Sequence, residues 1–292
     1  MDKIVYIDRA TGEHKEELVP GGGFLKFLYG STVGKLSLNT LVKRKLFSIM
    51  GGAYMNSKAS AKKIAPFIAK HSMDMSDYIV PEEGFSCFND FFYRKIDASK
   101  RPIGEGVVSP ADGKILVFDT IAASKEFFIK GSLFNLTSFL ADEKLAKKYE
   151  GGAMCIVRLA PVDYHRFHFP AEGKAGKMVR IKGDYYSVSP LALRKSLEIF
   201  CQNKREYCIQ ETKDYGDILI CDVGATLTGS IIQTYTEEAH QPKGGDRGFF
   251  AFGGSTTVLL FEQGKIKFSK DLITNTQAGL ETTIKMGETI AQ

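Results

Sequence analysis

Between Leu18 and Met73 the chain has no aspartate or glutamate. The same stretch carries Lys26, Lys35, Lys43, Arg44, Lys45, Lys58, Lys62, Lys63 and Lys70, although the whole chain has a net charge of only +5. Charge separated this sharply implies that the segment faces something anionic. Cysteine is scarce and odd in number (Cys87, Cys155, Cys201, Cys208, Cys221), with no CxxC pair. That argues against a disulfide framework or a zinc ribbon and points to reduced thiols. No apolar run reaches eighteen residues, so no segment is expected to span a bilayer. Residues Met1 to Asp8 alternate charged and apolar types and lack the basic start and apolar stretch of a signal peptide. There is no internal repeat and no low-complexity linker. What is present is ordinary globular composition, 43% apolar and 25% charged over 292 residues. This is enough for one large domain or two modest ones with a self-sufficient core.

Hydrophobic patterning divides the chain near residue 80. Residues 1 to about 17 read as a short polar strand pair or turn. Residues 18 to about 80 read as helical, with Leu38, Leu41, Val42, Leu46 and Ile49 at spacings of three and four. Lys43 and Arg44 lie off that stripe, and Lys45 lies on it, as a snorkelling side chain does. Gly51-Gly52 is expected to end this helix. A second helix follows with Ala61, Ile64, Phe67 and Ile68 on one side, kinked or restarted at Pro66. From about 104 onward short β-type runs take over: Lys114–Phe118, Met154–Leu159, Ile218–Cys221, Ala225–Ile232, Thr256–Phe261 and Lys265–Ser269. Helices are expected over about 136–149 and from Ser189-Pro190, a cap followed by proline at the first helical position. The fold class is therefore α+β: a mostly antiparallel β catalytic body over 81–292, with a basic amphipathic helical N-terminal region over 1–80.

Three segments carry candidate chemistry. Ser109-Pro110-Ala111-Asp112-Gly113 precedes a strand, and its plain reading is a turn with Gly113 left-handed. Ala160-Pro161-Val162-Asp163-Tyr164-His165-Arg166-Phe167-His168-Phe169-Pro170 holds two of the five histidines in an aromatic setting. Spacing of three on a strand sends the two rings to opposite faces, and no third ligand stands at standard spacing, so a metal is disfavoured. Two structural histidines bonded to backbone remain an open reading. Gly253-Gly254-Ser255-Thr256 lies between apolar runs. Gly30-Ser31-Thr32 repeats its last three residues in the basic region, so Gly-Ser-Thr alone decides nothing. Asp, His and Ser on separate segments suit nucleophilic catalysis, in which a base takes the serine proton and a carboxylate orients the base.

Taken together these segments resemble the phosphatidylserine decarboxylase family. Several further stretches agree in order: Phe88-Asn89-Asp90-Phe91-Phe92-Tyr93-Arg94-Lys95 with Arg101-Pro102-Ile103, Tyr186–Leu193, Asn203–Glu206, Val223–Thr226 and Lys243-Gly244. The likeness covers about 80–290. Bacterial members commonly carry Leu-Gly-Ser-Thr at the cleavage point. Gly253 replaces that Leu here, and the scissile Gly254-Ser255 pair is intact.

The resemblance implies a proenzyme that cuts itself between Gly254 and Ser255, giving a 1–254 β chain and a 255–292 α chain that stay together as a heterodimer. Ser255 becomes an N-terminal pyruvoyl group, the covalent cofactor, which forms a Schiff base with phosphatidylserine, releases carbon dioxide and leaves phosphatidylethanolamine. His168 is implied as the base for Ser255, Asp112 as the group orienting it, and His165 as a later proton donor. Basic residues Lys26, Lys35, Lys43, Arg44, Lys45, Lys62 and Lys63 are expected at an anionic membrane surface, on the cytoplasmic side, as a peripheral contact. No metal and no nucleic acid is expected, and homo-oligomerisation is left open. The alternatives are a pyruvoyl decarboxylase for another serine lipid or an amino acid, a non-catalytic lipid-binding protein, and an ordinary helical cap over 18–73.

Overall fold

A computed structural model describes residues 4–17, 51–124, 135–184, 186, 198–224, 230–252 and 255–292. Lys26, Lys35, Lys43, Arg44 and Lys45, the Leu38–Ile49 stripe, the start at Ser189-Pro190, and Gly253 and Gly254 lie outside the described residues.

The dominant element is an eleven-stranded sheet among the described residues. Its spatial order runs from His240–Gln241 through Gly173–Ala175, Arg205–Glu211, Asp217–Gly224, Ser255–Phe261, Ala153–Leu159, Gly113–Phe118, Glu281–Ile284 and Val5–Ile7 to His14–Glu16. Val179–Ile181 pairs with Arg205–Glu211 off that path. The pairings are antiparallel except Val5–Ile7 with Glu281–Ile284. The first strand pair of the expected front end thus belongs to the main sheet. Ser255–Phe261 sits in the middle, bonded to Asp217–Gly224 on one edge and Ala153–Leu159 on the other. All seven of its residues are buried. A strand covered on both faces has no need to alternate polar and apolar residues, which is why Val258-Leu259-Leu260-Phe261 is an unbroken apolar run.

The two faces of this sheet have different covers. Leu259 and Phe261 pack with Cys155, Val157, Phe167, Phe169, Ile231 and Phe250. This side is roofed by a three-stranded sheet of Ile231–Gln233, Asp246–Phe250 and Arg166–His168. Val258 and Leu260 pack on the other side with Phe139, Leu140, Tyr149 and Phe200, which come from the helices Leu136–Leu140, Glu143–Tyr149 and Glu198–Gln202. Each fully buried Leu or Phe contributes roughly 1.5–3 kcal/mol.

Several sequence expectations need correction. The helix expected over 136–149 is two helices, because Ala141 is left-handed (φ 53°) and Asp142 caps a new start by accepting from Leu145 N–H at 2.9 Å. Residues 51–55 are helical, so Gly51-Gly52 does not end a helix. Pro66 lies in the first turn of the helix Ile64–His71, where its missing N–H costs nothing, and a 3₁₀ turn Lys58–Lys63 precedes it. Lys265–Ser269 is not a strand; Lys267 and Ser269 instead exchange backbone bonds with Gln292 and Ile290. Gly113 is not left-handed. It opens a strand against Ile284, and a Cβ there would lie 2.4 Å from the Arg158 carbonyl oxygen. Ala225–Ile232 is described only from Ser230, with strand over Ile231–Gln233.

Buried charge holds both ends of the chain to this sheet. Arg158 is 3% exposed and donates to Glu17 and Glu281, each at 2.6 Å, with Lys114 Nζ 3.9 Å from Glu17. Burial opposes ionisation of Glu17, but the charges of Arg158 and Lys114 outweigh it and hold the carboxyl below its usual range. Removing one member leaves the others buried and uncompensated. In the Ser255→Ala background, Arg158→Met is expected to lower the unfolding free energy by about 3–5 kcal/mol. Urea titration checks this, and a loss under about 1 kcal/mol would show the cluster to be incidental.

Candidate active site

Ser255 is the first residue of the central strand, opposite Gly224 on one side and Leu159 on the other. Alternation along the strand puts its side chain on the same face as Thr257, Leu259 and Phe261, the face roofed by the three-stranded sheet. The residue is fully buried, and its Oγ has no hydrogen-bond partner among the described residues. An orphaned buried hydroxyl is costly, so its retention needs a reason.

Both histidines come from the segment that forms the edge of that roof. The His168 N–H donates to Pro110 O at 2.7 Å, which brings the Asp112 turn alongside. Phe250 N–H donates to His165 O at 2.9 Å, which holds His165 beside the chain leading to Ser255. The His165 ring lies 3.8 Å from the Phe92 ring, and Phe92 also meets Phe252, three residues before Ser255, at 5.1 Å. Asn89 accepts from Phe252 N–H at 2.8 Å. The short helix Phe88–Phe92 therefore seats His165 and the chain before Ser255 together. It forms here because Cys87 Sγ accepts from Asp90 N–H while Asp90 reaches back to Ser86 N–H, a reciprocal cap.

The two imidazoles differ. His165 Nδ1 lies 2.9 Å from Asp163 O, a carbonyl that can only accept, so Nδ1 carries the proton. His165 Nε2 is then a bare lone pair, buried and without a partner among the described residues. Burial pushes this imidazole down to about 3; the Asp163 bond opposes that, and the charge of Arg94 adds to it. His168 Nδ1 lies 3.0 Å from Gly244 O, and its Nε2 lies 3.1 Å from Tyr164 Oη. Burial lowers its pKa too, against the opposing influence of Asp246 and the Gly244 bond. Neither imidazole is hydrogen-bonded to Ser255.

Asp112 is not hydrogen-bonded to His168. Arg101 holds its carboxylate in a fork, with Nε at 3.2 Å and Nη2 at 2.7 Å, and Met286 N–H donates to Oδ1 at 2.7 Å. Arg101 also reaches Asp77 at 2.7 Å. The structure thus brings Asp112, His165 and His168 into one neighbourhood, under the face that Ser255 shares, without a continuous Asp–His–Ser chain. Lys62 and Lys63 are exposed on the 3₁₀ turn Lys58–Lys63.

Sequence reasoning overlooked a fully buried pin beside Ser255. Asp222 accepts from Arg247 at 2.7 Å, Thr257 Oγ1 at 3.0 Å and Gln233 Nε2 at 3.0 Å. The Arg247 guanidinium lies 4.4 Å from the Phe167 ring centroid. The pin ties the strand of Ser255 to its roof. Half of its signal was available: a lone charge, Asp222, interrupts the apolar run Ile218–Val223, whereas Arg247 stands beside Asp246 in a mixed strand that does not mark it out. Arg94, also buried, donates to Val162 O and Asp163 O and fixes the loop carrying His165.

The histidine environment has a consequence for stability. Both folded pKa values lie below the unfolded value of about 6.5, so the unfolded chain binds more protons once pH falls beneath that value. Stability is full above about 6.5 and is lost on acidification. Between pH 7.5 and 5.5 His165 is expected to remove about 1.4 kcal/mol from the unfolding free energy of the Ser255→Ala protein, and His168 acts in the same direction. His165→Gln should remove its share of that slope in urea titrations, and an unchanged slope would contradict a buried neutral His165.

A family model described as phosphatidylserine decarboxylase matches residues 88–292. The chain is 50% identical over 290 residues to the phosphatidylserine decarboxylase proenzyme of Fusobacterium nucleatum, covering 98% of this chain and 97% of that one. It is 44% identical over 290 residues to the protein of the same name from Clostridium kluyveri, covering 98% of each chain. With that of Clostridium novyi it shares 46% over 277 residues, 94% of each.

Proposed function

The chain belongs to the phosphatidylserine decarboxylase family, and on that premise we propose that it decarboxylates phosphatidylserine with a pyruvoyl group made from Ser255. The observation that carries the proposal is the buried Ser255 Oγ, without a partner among the described residues, at the head of the central strand and on the face roofed by the histidine-bearing sheet. The phosphatidylserine and proenzyme named for the relatives supply the substrate and the self-cleavage.

Ser255 Oγ attacks the carbonyl carbon of Gly254, and the peptide bond becomes an ester with a free amine on residue 255. Loss of the Cα proton then expels the Gly254 carboxylate. The resulting dehydroalanine tautomerises to an imine, and water replaces its nitrogen as ammonia, leaving the pyruvoyl group. That carbonyl supplies an electron sink for loss of carbon dioxide from an attached amino acid headgroup. A residue such as His168 takes the serine proton, and Asp112 acts by its charge and by fixing the turn beside His168. For this, the Tyr164 hydroxyl has to leave Nε2. A second reading has a specific observation in its favour: His165 Nε2 is already a free lone pair, and its ring is seated with the chain leading to Ser255. In that reading His165 serves cleavage first and decarboxylation afterwards.

After cleavage, residues 255–292 supply the central strand, the helix Lys270–Gln277 and the strands Glu281–Ile284 and Thr289–Ala291. Two of these strands lie in the large sheet and Thr289–Ala291 pairs with Val107–Val108, so a piece joined to the rest at this many places stays bound. We also assign the basic front end to anionic lipid at the cytoplasmic face of the membrane. Lys58, Lys62, Lys63 and Lys70 are exposed, while Ile64, Phe67 and Ile68 turn inward onto Phe88, Phe91 and Phe92. The apolar side of that helix is therefore spent on the body, and its lysines are what it offers outward. Among the described residues no helix is long and apolar enough to cross a membrane.

Active protein should run as two pieces on a denaturing gel, the smaller blocked to N-terminal sequencing. Ser255→Ala should stay whole, and Ser31→Ala should process normally. His168→Ala left uncut with His165→Ala cut supports the first assignment, and the reverse pattern supports the second. A single full-length band from active protein would rule out the pyruvoyl group. Neutralising Lys58, Lys62, Lys63 and Lys70 together should weaken sedimentation with phosphatidylserine vesicles at low salt by roughly tenfold or more, on a scale of about 1 kcal/mol per charge. Unchanged sedimentation would leave those lysines as an ordinary solvated surface.

A further inference from the structure

Tyr164 immediately precedes His165, one of the two histidines that the sequence singles out, and is itself 2% exposed. Its hydroxyl is 3.1 Å from His168 Nε2, and its ring is stacked on the imidazole at 5.8 Å and 25°. On its far side it meets the Tyr78 ring at 6.3 Å. The direction of the hydroxyl bond follows from the other nitrogen. Gly244 O, 3.0 Å from Nδ1, can only accept, so in the neutral ring Nδ1 holds the proton. Nε2 is then the sole basic lone pair of His168, and the phenol occupies it as donor.

Resting on the assignment of His168 as the base for Ser255, we propose that Tyr164 is a positioning residue that holds His168 as the neutral Nδ1–H tautomer, with Nε2 aimed and capped until the serine proton replaces the phenol's. In the cleavage step the Tyr164 O–H···Nε2 bond breaks, Ser255 O–H transfers its proton to Nε2, and the imidazolium is left donating from both nitrogens. The Tyr164 oxygen, freed of its role as donor, accepts from the new Nε2–H. The phenol thus changes from donor to acceptor without losing its own proton, so no second base is required. A residue that merely filled space would be served as well by phenylalanine.

The charged groups facing His168 come from every element around it. Asp246 is on the neighbouring strand and Arg166 on its own strand, and these two are joined to each other. Asp112 stands on the turn that takes the His168 N–H. Lys243, next to Gly244, is bonded to the carbonyls of Gly104 and Gly106. Each of these remains in a Tyr164→Phe protein, so a change in proton affinity there reports the hydroxyl alone. Donation to Nε2 favours the neutral ring. Without it the ring protonates more readily, and the fraction able to act as a base falls at low pH.

The test is the rate of self-cleavage of the freshly translated full chain between pH 5 and 8.5. In Tyr164→Phe the acid limb of the profile is expected to move up by roughly half a unit to one unit, the worth of one neutral hydrogen bond. The plateau at high pH should hold or rise. A profile superimposed on that of the parent overturns the inference, and so does complete loss of cleavage at every pH by a folded protein. A second measurement does not depend on cleavage. In the Ser255→Ala protein, long-range proton–nitrogen spectra should show His168 protonated at Nδ1, with the Nε2 resonance moving toward a free acceptor in Tyr164→Phe. A proton found on Nε2 of the neutral ring overturns the inference. Normal cleavage by His168→Ala would remove the reading on which it rests. A parental profile in Tyr164→Phe, with His168→Ala uncut, removes the inference alone.

Discussion

The strand that starts at Ser255 is hydrogen-bonded along both edges and buried on both faces, and the rest of the molecule is arranged around that constraint. Gly224 and Leu159 fix the position of residue 255 to within the tolerance of a β ladder. A nucleophile on an exposed loop would sample many positions relative to the scissile carbonyl. One at the head of a central strand is held, and it is the roof carrying the histidines that has to be brought into register with it. Orientation of this kind is a large part of what a slow peptide rearrangement requires.

Two buried ionic devices set that register. Asp222 and Arg247 pin the roof to the strands around Ser255, and Arg101 locks Asp112 against Met286. Neither charge pair is a bargain in free energy, since desolvation offsets most of the attraction. What they provide is geometry: a forked guanidinium bonded to a carboxylate tolerates little sliding. Arg94 does the same for the loop of His165 by way of carbonyl oxygens rather than a carboxylate.

Much of the body was legible in the sequence because the strands are strongly patterned. Lys114–Phe118, Met154–Leu159 and Thr256–Phe261 emerge within a residue of their expected limits. Short elements fixed by caps and tertiary contacts were not legible: the helix Phe88–Phe92, the break at Ala141, and the parallel pairing of Val5–Ile7 with a strand near the other end of the chain. At the site, residue types pointed to Ser255, Asp112, His165 and His168. Spacing could not say that Asp112 would face Arg101, because a side chain's partner depends on the whole packing. Tyr164 was hidden by its neighbours: between an aspartate and a histidine, an aromatic residue reads as filler until its hydroxyl is located.

The weave of residues 255–292 through the large sheet also decides what happens when the protein is taken apart. Before cleavage, folding is a reaction of one chain, and its equilibrium does not depend on concentration. If the chain is cut at Gly254–Ser255 as proposed, the central strand and its two neighbours come to lie on separate molecules, so reassembly would be bimolecular and dilution would work against it. The short piece cannot keep a core by itself. Denaturation of such a cut form would then be a one-way event, and its working lifetime would be set by an unfolding rate instead of a folding equilibrium.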